Sequence, residues 1–594
     1  MMRTHTCGEL RATHVGTRVT LCGWADTVRD HGGVIFIDLR DRYGMTQVIF
    51  DPHDSKQAWD IAQAVRSEFV IHIEGVVENR PADMVNANLP TGAIEVRSNA
   101  IQVLNKSKTP PFPLDDEKAS KVSEDLRLTY RYLDLRRKKM QDNLRKRHEI
   151  LHAVRTYLDK ENFTEIETPI LTKSTPEGAR DYLVPSRVMP GCFFALPQAP
   201  QQYKQLLMMS GMDRYVQIAR CFRDEDLRAD RQPEFTQIDL EMSFIGPEDI
   251  YRIIDGMLFE IMKVAGHGEI KLPIARLSYD DAMNRYGSDK PDLRFGMELA
   301  DLSDVYKSTQ FKIFGSVLAK GGAVKAINAK GLAGVSAGTI DEWTVLAKEA
   351  GLGGLAFIRV QDDGTWKSPI VKFFSEAENQ GLRERLKIEK GDLILFAADK
   401  ADVCNVALGR LRLLAGATAK AIPENVFAFT WVTDFPLFEK GADGSLASMH
   451  HPFTSPHLED LQVLDNDPGK VRALAYDIVL NGTELGGGSI RIHDPDLQAK
   501  MFKILGIPEA EIEDRFGHLI RALSYGAPPH GGIALGVDRL VMLMVGEASI
   551  RDVIGFPKTQ KAVDLMMNAP AKVDARQLRD LFIELALPAK EPVV

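Results

Sequence analysis

The chain has 594 residues, 44% of them hydrophobic and 26% charged, with a formal net charge of −9. That length fits several domains with proper cores, and the acidic balance excludes a broadly basic nucleic-acid binder, so any RNA contact must come from local patches. No stretch approaches the roughly 18 apolar residues of a membrane helix, the start Met-Met-Arg-Thr-His-Thr lacks an apolar signal region, and a cytoplasmic protein is expected.

Residues 1 to 105 read as short strands with turns between them: RVTLCGWADTV, GVIFIDLRD, MTQVIFD, FVIHIEGVVEN and GAIEVRSNAIQVL, with a helical stretch near Ser55 to Val65. Five such strands fit a small Greek-key barrel, either an OB-fold or an SH3-like barrel. Residues 106 to 130 open with three prolines within four positions and then charge, the composition of a linker. From Lys121 to His148 there are ten Lys or Arg against four Asp or Glu, which is either an RNA-facing patch or a solvated helix face. RYLDLRRKKMQDNLRKRHEILHAVRTYLDKENF predicts one or two long amphipathic helices, leading to a strand, FTEIETPIL, interrupted at Pro169.

TPEGARDYLV follows, with Gly178 free to hinge, and LPQAPQQYKQLLMM places Gln201 and Lys204 on one face of a helix start. From Arg214 to Phe244 the chain predicts a hairpin flanking a charged loop. In its second strand Phe235, Gln237, Asp239 and Glu241 share one face and Ile238, Leu240, Met242 and Phe244 the other. Arg223 projects into the same space as Asp239 if the strands pair. A cation beside an aromatic ring suits a nucleotide, with the guanidinium on phosphate and Phe235 against a base.

Between 291 and 420 the chain turns rich in Ala and Gly, and no nucleophile, metal cluster or phosphate loop can be read in it. Adjacent histidines in MHHPFT, His450 and His451, point to opposite sides of an extended segment, which favours hydrogen bonding over metal. AYDIVLNGTELGGGSIRIH holds an Asn481-Gly482 hairpin turn. If Leu480 pairs with Thr483, Glu484 and Asp477 share a face, and two carboxylates so placed suit a hard cation such as Mg²⁺. Arg491 joins that face only if the glycine run bulges. GGIALGVDRLVMLMVG predicts a strand running into an apolar helix with Arg539 in its first turn, a place that favours anions. The tail from about 560, APAKVDARQLRDLFIEL, predicts a helix packed on the body. The five cysteines, Cys7, Cys22, Cys192, Cys221 and Cys404, show no C-x-x-C spacing and read as packing residues.

The FRDED loop, the QPEF turn and the DLEMSF strand resemble motif 2 of class II aminoacyl-tRNA synthetases, specifically the bacterial-type aspartyl enzymes, and the likeness extends over essentially the whole chain. It implies an α+β fold: a six- or seven-stranded antiparallel sheet with helices (131–290 and 421–560), an N-terminal OB-fold anticodon-binding barrel (1–105), an inserted α+β domain (291–420), and a C-terminal extension (561–594). The segment around Pro169 resembles motif 1, which implies a homodimer, and the last strand and helix resemble motif 3. The implied substrates are L-aspartate, ATP with Mg²⁺, and tRNA. Glu177, Gln201, Lys204, Arg223, Asp239, His450 and Arg491 match aspartate contacts, Lys204 and Arg491 being the cations for the side-chain carboxylate. Arg223, Asp224, Glu225, Gln232, Phe235, Glu484, Gly536, Val537, Asp538 and Arg539 match ATP contacts, with Arg223 on the α-phosphate and Arg539 on the γ-phosphate as the catalytic pair. His451 is implied at the phosphate end, and Asp477 with Glu484 at the metal. In the barrel, Phe36 matches a residue that stacks on an anticodon base, its alternative being a buried core phenylalanine, and Gln47 one that hydrogen-bonds a base. His31 resembles members that charge both tRNA(Asp) and tRNA(Asn), whereas Asp83, in the second loop bearing on that choice, points neither way. The insert is open between tRNA contact and structural support. A sister enzyme for asparagine or lysine, or an RNA-binding paralogue without activity, are the other readings.

Overall fold

The computed structural model describes residues 2–175, 179–225, 230–441 and 443–586, and the chain divides into two compact units.

The first unit comprises Met1–Arg147 with Arg551–Lys572. Its centre is a closed five-stranded barrel of β1 (Arg18–His31), β2 (Val34–Asp41), β3 (Gly44–Phe50), β4 (Val70–Asn79) and β5 (Ile94–Asn105), in the order β1-β2-β3-β5-β4. Strict alternation builds it: Ile35, Ile37 and Leu39 of β2 are buried in the core with Leu21, Val48, Ile71 and Val96, while Phe36, Asp38 and Arg40 face outward. Phe36 is therefore not a core residue. A helix α1 (Lys56–Gln63) buries Ala58 and Ala62, its first turn capped by the Ser55 side chain accepting from Ala58 N. The expected linker is not featureless, since it carries the helical turns Asp116–Ala119 and Glu124–Thr129. Two members of the basic run are not surface charges at all. Arg131 and Arg137 are buried and pair with Asp134 at 2.6 and 2.7 Å, and Arg131 also donates to the carbonyls of Arg551, Ile554 and Gly555.

The second unit, His148–Ile550 with Val573–Val594, holds an eight-stranded sheet. Its strands run in the order Arg276–Ser278, Phe429–Thr433, Ala475–Leu480, Thr483–Ile490, His530–Gly536, Glu234–Ser243, Arg214–Phe222 and Thr164–Glu165. The expectation of six or seven antiparallel strands is corrected: the six inner strands are antiparallel, and the two short outer ones pair in parallel. The strand before Pro169 is only two residues long, because a proline cannot donate to a ladder and the segment leaves the sheet. The helix Pro247–Ala265 starts at a Pro capped through Asp249 and ends at Gly266 with φ 84°. It buries Ile250, Ile254, Met257, Leu258 and Ile261, and its Asp255 accepts from Trp431 Nε1 and Ile274 N, both at 2.9 Å. Trp431 and Tyr476 pack on its Tyr251, leaving the opposite face of the sheet for Asp239, Glu241 and Asp477.

Inside this unit, residues 300–418 form an antiparallel five-stranded sheet with an apolar cluster on each side, in keeping with the expected α+β insert. Its inner strand Ala323–Ala329 is buried throughout and sends Ile327 to one cluster and Val324 to the other. The tail departs from expectation: its helix is only Ala575–Asp580 and buries none of its residues. No helix of the described residues is long and apolar enough to cross a membrane.

Candidate active site

Four segments far apart in the chain supply charges to one face of the large sheet. The strand Glu234–Ser243 pairs with Arg214–Phe222 so that Gln217 lies opposite Asp239 and Cys221 opposite Phe235. Arg223, one residue past its strand, is held by its own backbone N–H donating to Pro233 O at 2.9 Å, and its guanidinium lies 5.0 Å from the Phe235 ring centroid. This is the cation beside an aromatic ring that the alternation implied.

Deeper on the same face sits a buried quartet. Lys204, on the helix Gln201–Met209, reaches Asp239 Oδ1 at 2.6 Å and Glu241 Oε2 at 3.3 Å. Arg491 donates from Nε and Nη2 to the two oxygens of Glu241, at 2.8 and 3.1 Å, and from Nη1 to Ser489 Oγ at 2.7 Å. Two buried cations thus face two buried anions, all at most 2% exposed. The two carboxylates are not equivalent. Burial raises the pKa of both; at Glu241 the forked Arg491 and Lys204 outweigh it and hold the group below the ordinary range, whereas at Asp239 burial prevails. The physical difference is that Asp239 Oδ2 has no partner.

That orphan is one of several. Gln201 Nε2, Arg223 Nε, His450 Nδ1 and Arg539 Nε are likewise buried without a hydrogen-bond partner. Buried polar atoms are ordinarily satisfied, so a group of them beside one sheet face marks the place of a polar ligand.

Arg491 shares this face because the hairpin Ala475–Ile490 is irregular. Leu480 pairs with Thr483 and Val479 with Glu484, the register then shifts, and Asp477 lies opposite Gly487. The extra residue is Leu485, so Glu484, Gly487, Ser489 and Arg491 fall on one side with Asp477. Gly487 is required there, since a Cβ would come within 2.3 Å of Asp477 Oδ1. Burial and the neighbouring Asp477 raise the Glu484 carboxyl above its usual range, an excess of negative charge that a divalent cation would relieve. Among the described residues no cluster of three or more His, Cys, Asp or Glu could hold a metal by itself. Two carboxylates fit Mg²⁺ that takes its other ligands from water and phosphate.

His450 lies 3.7 Å from Asp477 Oδ1 and packs on Phe435. His451 Nε2 meets Arg491 Nη1 at 2.6 Å, and burial, with Arg491 next, lowers its basicity far enough to keep it neutral as an acceptor. Arg539, in the first turn of the helix Val537–Val545, donates to Glu484 O at 2.6 Å and pairs with Asp230 at 3.1 Å. The Asp538 carboxylate accepts from Thr236 N at 2.9 Å, tying the helix to the neighbouring strand. Val537 is a core residue, so it and Gly536 can offer a ligand only backbone. Asp224 and Glu225 face Arg180 and Arg231, at 3.4 and 3.0 Å, and Gln232 is buried. Glu177 lies outside the described residues; just past it, Gln198 binds the backbone of Ala179 in both directions.

Sequence reasoning assigned no role to Glu241, although its place two residues after Asp239 on the polar face was the signal. Ser489, hidden in a glycine run, had none. On the outer face of the barrel, Arg29, Asp38, Gln47 and Glu95 form one chain of contacts: Arg29 to Asp38 at 2.8 Å and to Gln47 at 3.3 Å, and Gln47 to Glu95 at 2.8 Å. His31 packs edge-on to Phe36 at 5.8 Å between ring centroids, and Asp83 sits in an exposed turn, Ala82–Met84.

Residues 19–104 match the profile of the OB-fold nucleic acid binding domain. The chain is 55% identical over 586 residues to the aspartate--tRNA(Asp/Asn) ligase of Desulfatibacillum aliphaticivorans, covering 98% of each, and 54% identical to the aspartate--tRNA ligase of Bacillus licheniformis, again covering 98% of each. Among solved structures, asparaginyl-tRNA synthetase from Pyrococcus horikoshii has a TM-score of 0.58 at 20% identity, covering 94% of this chain and 99% of that one. Aspartyl tRNA synthetase from Entamoeba histolytica has 0.58 at 19%, covering 93% and 90%; both likenesses concern the fold alone. Residues 123–560, spanning the strands and helices that carry every charge of the quartet, match the profile of tRNA synthetases class II (D, K and N), and the chain belongs to that family of class II aminoacyl-tRNA synthetases.

Proposed function

We propose that this enzyme is an aspartate--tRNA ligase. The observation that carries the reading is the buried pair Lys204 and Arg491, held in place by Asp239 and Glu241 beside orphaned polar atoms. An amino acid with a side-chain carboxylate supplies the anion that two fixed cations favour. An asparagine amide would leave them short of charge, and a lysine would repel them. The unpartnered Asp239 Oδ2 and Gln201 Nε2 suit the substrate's ammonium and carboxylate ends.

In the reaction an α-carboxylate oxygen of aspartate attacks the α-phosphorus of ATP, and the bond to the bridging oxygen of the β-phosphate breaks. Aspartyl-adenylate and pyrophosphate form, and the acyl group then passes to a ribose hydroxyl at the tRNA end, releasing AMP. No protein nucleophile is needed, so the chain contributes position and charge. Arg223 stabilises the α-phosphate, with Phe235 holding it and the base; Arg539, at a helix N-terminus, receives the far phosphates. Asp477 and Glu484 would hold Mg²⁺, which neutralises phosphate charge when bound. His451, neutral and accepting from Arg491, keeps that guanidinium aimed.

The barrel's outer face, which carries the half-buried Phe36 and Gln47, is proposed to take the anticodon. Charging of tRNA(Asn) as well as tRNA(Asp) is proposed from His31, which packs against Phe36, and relatives carrying both substrates in their names support it. A homodimer is proposed from apolar side chains left exposed near Pro169, among them Ile170, Leu171, Phe193 and Phe194. A cytoplasmic location accords with a translation enzyme.

The test is exchange of labelled pyrophosphate into ATP with aspartate, asparagine and lysine in parallel. Exchange driven by asparagine or lysine at least as well as by aspartate would reject the reading. Sedimentation at micromolar concentration tests the dimer, and a species of 66.1 kDa would reject it.

A further inference from the structure

One amide on the polar face of the large sheet has a fixed end and an open one. The strand Arg214–Phe222 sets Gln217 opposite Asp239 and Tyr215 opposite Glu241, so all four side chains stand on the face that carries the quartet. Gln217 is 8% exposed. Its Oε1 accepts from Tyr215 Oη at 2.7 Å and from Thr168 Oγ1 at 2.9 Å. Thr168 belongs to the segment that continues the outermost strand, Thr164–Glu165, and that strand pairs with Arg214–Phe222 on the side away from Asp239. The oxygen is therefore engaged toward the edge of the sheet, and the amide nitrogen is left on the side of Asp239. Reversing the amide would aim a second acceptor at a carboxylate, so the hydrogen-bond network itself assigns the orientation.

Among the described residues Gln217 Nε2 has no hydrogen-bond partner, and across the ladder Asp239 Oδ2 has none either. Residues directly opposed on one face hold their Cβ atoms about 4.5–5.5 Å apart, so an unused donor and an unused acceptor confront each other over the width of one small polar group. Amides this deeply buried are ordinarily satisfied at both ends. The backbone of an α-amino acid meets both demands at once: its ammonium donates to Asp239 Oδ2, and an α-carboxylate oxygen, two carbons away, accepts from Gln217 Nε2. Lys204, which holds the other oxygen of Asp239, then lies on the side of the amino acid's own side chain.

We propose that Gln217 is a further binding residue for the substrate, its Nε2 donating to the α-carboxylate of the amino acid, with Thr168 and Tyr215 as the positioning residues that hold the amide. The proposal rests on the amino-acid activation proposed above and concerns the end of the substrate that every amino acid shares, whereas Lys204 and Arg491 read the side chain. It adds a second amide to Gln201 Nε2, which suits the same end. A donor fixed there holds one carboxylate oxygen and turns the other to the α-phosphorus, and it serves the carbonyl oxygen of the adenylate afterwards.

The experiment uses the full-length enzyme with Gln217→Met, which keeps the length of the side chain and removes the amide. Pyrophosphate exchange gives KM for aspartate and ATP, and inhibition of that exchange gives Ki for L-aspartinol, in which a hydroxymethyl group replaces the α-carboxylate. The expected result is a rise of about thirtyfold in KM for aspartate with kcat and KM for ATP little changed, against about threefold or less in Ki for L-aspartinol, because a hydrogen bond to a charged group is worth more than one to a hydroxyl. An unchanged KM for aspartate overturns the proposal. So does an equal loss for aspartate and L-aspartinol, which marks a structural amide or one that holds only a water molecule. Should Gln217→Met melt out, Thr168→Val decides: a smaller loss with the same preference for aspartate supports the proposal, and an equal or absent loss overturns it. If the wild type drives no exchange with aspartate, the functional reading has failed instead, and the same comparison with asparagine or lysine, whichever binds by calorimetry, and its amino alcohol still decides the role of Gln217.

Discussion

Replacing Arg491 by leucine separates substrate recognition from folding, because the residue serves both. In the quartet it gives Glu241 two bonds, at 2.8 and 3.1 Å, and its removal leaves that carboxylate with Lys204 alone at 3.3 Å. Breaking a buried pair from one side costs about 3–5 kcal/mol, a large part of the roughly 5–15 kcal/mol that holds a domain folded. Arg491→Leu should therefore melt several degrees lower, and Arg491→Leu combined with Glu241→Gln, which removes both charges, should recover much of that loss. Activity should not recover with it. Loss of one of two cations for a buried carboxylate costs about 2–5 kcal/mol in transition-state binding, or roughly thirty- to several-thousandfold in kcat/KM for aspartate. The assay is pyrophosphate exchange as a function of aspartate, with KM for ATP measured beside it and expected to change little. An aspartate KM equal to that of the wild type, in protein shown to be folded, would remove Arg491 from the substrate pocket and with it the charge argument for aspartate.

Gly487→Ala should cost on the order of a hundredfold in exchange rate, because its Cβ would stand 2.3 Å from Asp477 Oδ1 and displace the carboxylate by about an ångström; a rate near wild type would show that Asp477 is not needed where it lies. Glu484 titrates above the ordinary glutamate value of about 4.3, so the folded protein without metal holds that proton more tightly than the unfolded chain, and the associated stability is lost as pH rises through the raised value. Since Mg²⁺ needs the ionised carboxylate, the increase in Tm on adding MgCl₂ should grow over that same rise in pH; a Mg²⁺ effect independent of pH there would refute the assignment. His31→Leu should lower kcat/KM for unmodified tRNA(Asn) relative to tRNA(Asp), by about 1–3 kcal/mol for one base edge, with no change in adenylate formation. Asp255→Ala should lower stability by about 1–3 kcal/mol in denaturant melts, since it orphans Trp431 Nε1 and Ile274 N in the core.

What could be read from the chain alone follows the range of the physics involved. The five barrel strands, the face shared by Phe235, Asp239 and Glu241, and the pairing of Leu480 with Thr483 depend on alternation and turn chemistry over a few residues, and such signals survive in a linear sequence. The need for a bulge before Arg491 was legible as well, but not its place at Leu485, which depends on how the strand His530–Gly536 receives the glycine run. The resemblance named the charges that belong together, yet it left Glu241 without a partner and carried no hint that His451 meets Arg491 or that Asp538 meets Thr236. Those outcomes belong to tertiary structure, because Arg491 meets Glu241 across 250 positions and Asp538 meets Thr236 across 302, distances over which no local periodicity carries information. The insert shows the same division. Its α+β character came with the resemblance, whereas its packing against the segment that follows Tyr286 exists only where glycines 287 and 409, far apart in sequence, let two backbones touch.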